Sequence, residues 1–245
     1  MVVNLSASPF AAGRHRLLET AVARTAKDLR TAIARTNLVG GNDDLVFDGR
    51  SFAVSAGGTL IARGAAFEED VVTVDLFSLP RGAPGDPAPE PEIWGALVLG
   101  TRDYARKCGF TSVLLGLSGG IDSSLVAAVA VEALGPENVL GVLLPSPYTS
   151  RESVEDAREL AENLGIRVEC IPIAPVMEAY DEALGEIFAG LPRDATEENL
   201  QARIRAAVLM AISNKFGSPA PRPGTSRRRR SATPPSTEIW RAASP

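Results

Sequence analysis

The chain has 245 residues, 45% of them hydrophobic, with 25 basic and 30 acidic side chains and a net charge of −5. That apolar content is enough for one large or two small packed domains, and the acidic balance gives nucleic-acid binding no support. No apolar run approaches the roughly 18 residues of a membrane span, and the amino terminus lacks the basic-then-apolar pattern of a secretion signal, so a cytoplasmic protein without a membrane partner is expected. Cys108 and Cys170 lack C-x-x-C spacing, which fits a reducing compartment and a role as small core residues.

From the amino terminus, residues 11–36 carry Leu17, Leu18, Ala21, Val22, Ala26, Leu29, Ala32 and Ile33 at helical spacing, and a helix is predicted there. His15, the one histidine, reads as a surface residue of that helix. Strand-like pieces follow: "TNLVG", "LVFDG", "SFAVSAGGTLIAR" with a hairpin turn at "SAGGT", and "VVTVDL". Five prolines from Pro80 to Pro91 then mark an extended linker, because proline lacks an amide hydrogen and fixes its own backbone. Beyond it the pattern alternates. A helix over 92–107 precedes strand "SVLLGL", a glycine turn and a helix over 122–134. Strand "NVLGVLLP", helix "SRESVEDARELAENLG" and strand "IRVECIPI" lead to helices over 175–190 and 196–215. Apolar strands separated by amphipathic helices imply a parallel sheet covered on both faces.

The turn in "LLGLSGGIDSSLVAAVAVEAL" is the chemically informative stretch. Gly119 and Gly120 allow close backbone approach, and amides at the next helix's amino terminus point toward an anion favoured by the helix dipole. Ser118, Ser123 and Ser124 add hydroxyl groups. Asp122 would repel a phosphate unless a Mg²⁺ bridges carboxylate and phosphate oxygens. Neither G-x-x-x-x-G-K-[ST] nor G-x-G-x-x-G is present, which excludes the ordinary P-loop and dinucleotide fingerprints.

"GLSGGIDSS" resembles the phosphate loop of the N-type ATP pyrophosphatases, and "LPSPYTSRESVEDARELAENLGI" and "EENLQARIRAAVLMAISNKFG" resemble NAD synthetases within that group. The resemblance implies a parallel-sheet α/β domain, adenine nucleotide alpha hydrolase-like, over residues 92–217. It implies a ligase that forms a C–N bond: ATP adenylates the carboxylate of deamido-NAD, pyrophosphate leaves and ammonia attacks. It places ATP at Gly116, Leu117, Ser118, Gly119, Gly120, Ile121, Asp122 and Ser123, Mg²⁺ on Asp122, and deamido-NAD at Asn199. Two alternatives stay open, another ATP pyrophosphatase that adenylates a different acceptor and a non-catalytic remnant with residual ATP binding.

"NLSASPFAAGRHR", "TNLVGGNDDLVFDGRSFAVSAGGTLIAR" and "FEEDVVTVDL" resemble the end of the nitrilase-like glutaminase domain of glutamine-dependent NAD synthetases. Residues 1–78 are accordingly expected to be a partial α+β nitrilase-like piece, joined by linker 79–91 to the synthetase part. The resemblance makes Ser8 and Arg14 glutamine contacts. The family's Cys nucleophile and its Glu and Lys partners match no position here, so no catalytic residue is assigned and free ammonia is the other nitrogen donor. The family is usually homo-oligomeric.

From Ser218 onward the composition shifts to six basic residues, one acid and six prolines, leaving 19 basic and 29 acidic residues before it. Residues 218–245 read as a disordered tail. Its "TSRR" and "STEIWRA" are what a one-base shift produces from codons for Asn-Lys-Ser-Glu and Leu-Tyr-Gly-Asp-Met-Ala-Gly-Gly, stretches the family carries at this place. The expectation is a frameshift just after Gly217, which translation of the neighbouring DNA frame checks directly.

Overall fold

The computed structural model describes residues 1–75 and 89–216, and the chain divides into two compact units, Met1–Lys107 and Cys108–Pro245. The tail read as frameshifted and most of the proline linker lie outside the described residues.

In the first unit, β1 (Val2–Ser6) runs parallel to β2 (Ile33–Asn37), and β2 pairs antiparallel with β5 (Phe52–Val54), which pairs antiparallel with β6 (Leu60–Arg63). The β5–β6 hairpin matches the turn read at "SAGGT". Helix α1 (Arg14–Leu29) lies on this sheet, with Val22, Ala23 and Ala26 against Ile33, Phe52, Val54 and Leu60. The helix stops earlier than its periodicity predicts. Arg30 takes a left-handed conformation at φ 48°, and its amide donates to the carbonyls of Ala26 and Lys27. The β-branched Ile33, counted above as helical, opens β2 instead, between Val2 and Val54. Burial between two strands outweighs a helical spacing that Ala32 and Ile33 only extend.

β3 (Val39–Asn42) and β4 (Leu45–Asp48) form a separate antiparallel pair against α2 (Pro89–Lys107). Contact is close where Gly41 meets Gly100: a Cβ on Gly41 would stand 3.1 Å from the Gly100 Cα. The Gly41 amide donates to Asp103 at 2.8 Å, and its carbonyl accepts from the Lys107 ammonium. Helix α2 thus begins inside the stretch read as linker and packs within the first unit. Residues 71–75, expected as part of a strand, form none, and Val71 stands 93% exposed. A β-branched run forms a strand only where an edge takes its hydrogen bonds.

The second unit is an α/β layer structure. β7 (Val113–Leu117), β8 (Val139–Leu143) and β9 (Arg167–Cys170) pair in parallel in that order, with Val113 opposite Val139 and Leu140 opposite Arg167. Helices α3 (Ile121–Leu134) and α4 (Arg151–Leu164) cover one face, where Val113, Leu115, Leu117, Val139 and Leu143 pack with Ala127, Ala130, Ala157 and Ala161. Helices α5 (Ala174–Leu184) and α6 (Ala195–Phe216) cover the other, where Val142, Leu144 and Ile173 meet Ile204, Val208, Leu209 and Ile212. Burial on both faces is why β7 and β8 read as continuous apolar runs.

Helix α4 is capped at both ends. Ser150 accepts from the Ser153 amide at 3.1 Å, and Gly165 ends the helix at φ 67°. Helix α5 ends at Leu184, short of the expected 190, with turns from Gly185 onward. Both cysteines are exposed, which corrects their reading as core residues. Among the described residues no helix is long and apolar enough to cross a membrane.

Candidate functional site

The glycine turn sits at the carboxyl end of β7, where open parallel sheets present their ligand crevices. Gly119 is held at φ +77°, and a Cβ added there would stand 2.3 Å from the Ser153 carbonyl oxygen and 2.9 Å from its Cα. Only glycine fits. The turn therefore passes directly over the first turn of α4, and that contact fixes its path.

The serines brace the turn from within. Buried Ser123 donates its hydroxyl to the Gly120 carbonyl at 2.9 Å, and Ser124 donates to the same oxygen at 3.0 Å. The Ser118 and Ser123 hydroxyls lie 3.0 Å apart, and the Gly120 amide donates to Ser118 Oγ at 3.3 Å. The amides of Ile121, Asp122 and Ser123 are first-turn donors with no acceptor inside the helix. Asp122 is exposed in the same turn, so its carboxylate stands beside those donors. Ile121 projects into solvent at 82% exposure, while Leu117 is a core residue that offers only backbone.

Beside the turn lies a cavity of about 230 Å³. Gly116, Leu117 and Ser118 form one wall, the end of β8 and the residues just after it, Val142 to Pro145, form the floor, and Thr149 just before α4 joins Ser153 and Val154 from its start. Arg205 and Leu209 of α6 close it. Of the residues expected at the site, Gly116, Leu117 and Ser118 line the cavity, Gly119 to Ser123 continue beyond it, and Asn199 lies exposed near the amino terminus of α6 outside the lining.

Arg205 was not among the expected site residues. Its Nε donates to the Leu144 carbonyl at 3.1 Å, and burial holds its guanidinium below the ordinary arginine value. A signal was present: Arg205, Val208, Leu209 and Ile212 follow i, i+3, i+4, i+7 spacing, so the arginine interrupts an apolar stripe.

Among the described residues no group of three or more His, Cys, Asp or Glu side chains could hold a metal. A lone carboxylate is compatible with Mg²⁺, which is commonly held by one or two carboxylates together with substrate phosphates and water. Asp122 fits that donor set.

The first unit contains its own polar cluster around a small cavity of about 10 Å³, lined by Ser8, Arg14, Arg35, Asn37, Asp48 and Arg50 among others. Ser8 and Arg14 are thus brought to one place. Asn37 organises it: its Oδ1 accepts from the Ser8 amide at 2.8 Å and from Ser6 Oγ at 3.1 Å. Its Nδ2 donates to the Ser8 carbonyl at 3.2 Å and to Asp48 at 3.1 Å. Burial raises the Asp48 carboxyl above the ordinary aspartate value, against the lowering effect of a backbone hydrogen bond, Arg50, Asn37 and His15. Burial likewise lowers Arg35, whose guanidinium lies over the Phe52 ring.

His15 is not the surface residue expected. It is 7% exposed, with Nδ1 3.2 Å from Glu92 Oε1, the oxygen that also accepts from Arg50 at 2.7 Å. Glu92 is 2% exposed and lies 77 positions further along the chain, beyond the reach of local pattern reading.

The parallel sheet with helices on both faces and a glycine turn at its strand ends defines an α/β domain of the ATP pyrophosphatase type. The description of the NAD synthase family matches residues 93–219, more than half of the chain. The chain belongs to the NAD synthase family. It is 52% identical over 229 residues to a glutamine-dependent NAD(+) synthetase of Synechocystis sp., covering 89% of this chain and 40% of that protein. A glutamine-dependent NAD(+) synthetase of Thermotoga maritima is 46% identical over 254 residues, covering 89% and 44%. The solved structure of a glutamine-dependent NAD+ synthetase from Acinetobacter baumannii in complex with ADP superposes with a TM-score of 0.83 at 38% identity, over 91% of this chain and 44% of that one. The chain thus spans about two fifths of the length of these relatives. The likeness extends past the family match, further into the first unit.

Proposed function

We propose that this chain is part of a glutamine-dependent NAD(+) synthetase, with the turn from Gly116 to Ser123 binding ATP for the amidation of deamido-NAD. The observation that carries the reading is Gly119. Its left-handed backbone, seated against Ser153, keeps the turn low and leaves the first-turn amides of α3 turned toward an incoming anion. The cavity beside Ser118 is large enough for the nucleoside end of ATP, and the phosphates run from it across the turn.

In this reading the first-turn amides of α3 receive phosphate oxygens and Asp122 holds Mg²⁺. The bound ion supplies neutralisation of charge on the departing pyrophosphate. A carboxylate oxygen of deamido-NAD, held with the help of Asn199, attacks the α-phosphorus of ATP, and the bond to pyrophosphate breaks. Ammonia then attacks the activated carbonyl, AMP leaves with the C–O bonding pair, and the amide nitrogen loses a proton to solvent. Ser8, held by Asn37, and Arg14, which lines the same small cavity, belong to the glutamine side of the same enzyme. Cytoplasmic location and homo-oligomeric assembly complete the proposal.

Calorimetric titration of Mg-ATP into the full chain tests it, beside ATP-dependent pyrophosphate release with deamido-NAD and ammonia. Asp122→Ala is expected to weaken Mg-ATP binding about tenfold or more, the scale of a lost charge-assisted contact. Equal heats from wild type and variant, or no heat from either, would overturn the assignment of the turn. Binding without pyrophosphate release favours a nucleotide-binding remnant over a working ligase.

A further inference from the structure

We propose that Arg205 is a ligand-contacting residue, its terminal guanidinium nitrogens pairing with a phosphoryl oxygen of the nucleotide in the cavity beside Ser118. The inference rests on the reading of that cavity as a nucleotide site and adds to it a cation from α6.

Positions 205, 208, 209 and 212 form one stripe of α6, and Val208, Leu209 and Ile212 use it to pack on the sheet with Val142, Leu144 and Ile173. A leucine or methionine at 205 would continue that stripe. Arginine there places a guanidinium partly out of water, an arrangement that is unfavourable without compensation. The structure supplies little. Among the described residues its hydrogen-bond partner is the Leu144 carbonyl, reached through Nε, and no carboxylate pairs with it. Arginine has five N–H donors in a planar fork, so that one bond leaves the terminal nitrogens available.

Those nitrogens belong to a side chain that lines the 230 Å³ cavity. The rest of the lining divides by chemistry. Val142, Leu144 and Leu209 offer apolar surface suited to the flat face of a nucleoside base, while Ser118, Thr149 and Ser153 are polar and stand near the turn. A nucleotide matches that division, with its base on the apolar floor and its first phosphate toward Ser118. The phosphate then brings the negative charge that Arg205 lacks. The bond to the Leu144 carbonyl has a second effect: it tethers the guanidinium at the end of β8, so less side-chain freedom is lost when the ligand arrives.

The test compares AMP, adenosine and Mg-ATP by calorimetry on the full chain and on Arg205→Met, Arg205→Gln and Arg205→Lys. Methionine suits the apolar stripe and preserves packing, and glutamine is the polar neutral control should the methionine variant fail to fold. AMP without magnesium separates Arg205 from any effect through Asp122. The expected result is an affinity loss of about tenfold or more for AMP and Mg-ATP in the neutral variants, with adenosine unchanged within about twofold and partial recovery in the lysine variant. Equal losses for AMP and adenosine would overturn the proposal, because they would mean that Arg205 only holds the end of β8. Unchanged binding of all three ligands in Arg205→Met, while Asp122→Ala still weakens Mg-ATP, would remove Arg205 and leave the nucleotide site standing. Absence of nucleotide binding by the wild-type chain would remove both.

Discussion

Gly119→Ala is the sharpest perturbation of the site, and the second unit contains its own control. Gly109 and Gly119 share φ +77°, but a Cβ at Gly109 meets nothing within 4 Å, whereas one at Gly119 stands 2.3 Å from the Ser153 carbonyl oxygen. Both alanine variants carry the left-handed backbone penalty of roughly 1–2 kcal/mol. Both also gain the same reduction in unfolded-chain entropy, about 0.4–1 kcal/mol, so these contributions cancel in the difference. What remains is the clash. An ordinary contact begins near 3.4 Å, so the α4 amino terminus or the turn must move by about an ångström, and the obstacle is backbone rather than a flexible side-chain tip. Overpacking of that kind costs roughly 1–3 kcal/mol, so Gly119→Ala is expected to be less stable than Gly109→Ala by about that much. Denaturant unfolding, followed by amide exchange in β7 and β8, reads the second unit specifically. Mg-ATP titration should show the Gly119 variant weakened and the Gly109 variant unchanged. Equal stability of the two variants would refute the claim that contact with Ser153 determines this glycine.

Two further predictions concern the first unit. Glu92→Ala leaves Arg50 and His15 buried without their shared acceptor and should destabilise by roughly 3–5 kcal/mol, with a large part recovered when Arg50→Met is added; a loss under about 1 kcal/mol would show that the pair is not buried as described. Asp48 has a carboxyl raised above the ordinary value chiefly by burial, so the folded state holds its proton more tightly than the unfolded chain does. Its contribution is then most favourable below the ordinary aspartate value and is lost as pH rises through the raised folded value. Asp48→Asn should therefore gain stability relative to wild type between those two points and stay level above them. Thermal melts across acidic to neutral pH check the sign, and an advantage of Asp48→Asn over wild type that grows as pH falls would refute it.

How much of this was legible beforehand depends on where each residue's partners lie. Helix α4 has its cap, its amphipathic spacing and its terminal glycine within sixteen consecutive residues, and it formed as read. The turn at Gly119 was legible as a glycine turn between strand and helix, but its reason for being glycine was not, since Ser153 lies 34 positions away. Ile33 fitted the helical spacing and went to a strand because Val2 and Val54 flank it. His15 fitted a solvated helix face and went inside because Glu92 and Arg50 meet it there. Arg205 broke an apolar stripe in plain view, yet its meaning needed the cavity.

The sequence by itself determined the alternation of strands and helices in the second unit, the parallel sheet this implies, and the position of the glycine turn. Those properties follow from hydrophobic period and capping, which act over a few residues. Tertiary structure alone decided which polar groups are buried together, where α1 gives way to β2, that Cys108 and Cys170 face solvent, and that α6 brings a cation to the strand ends. Each of these depends on free energies of burial and pairing between segments far apart in the chain, and such energies exist only once the segments have met.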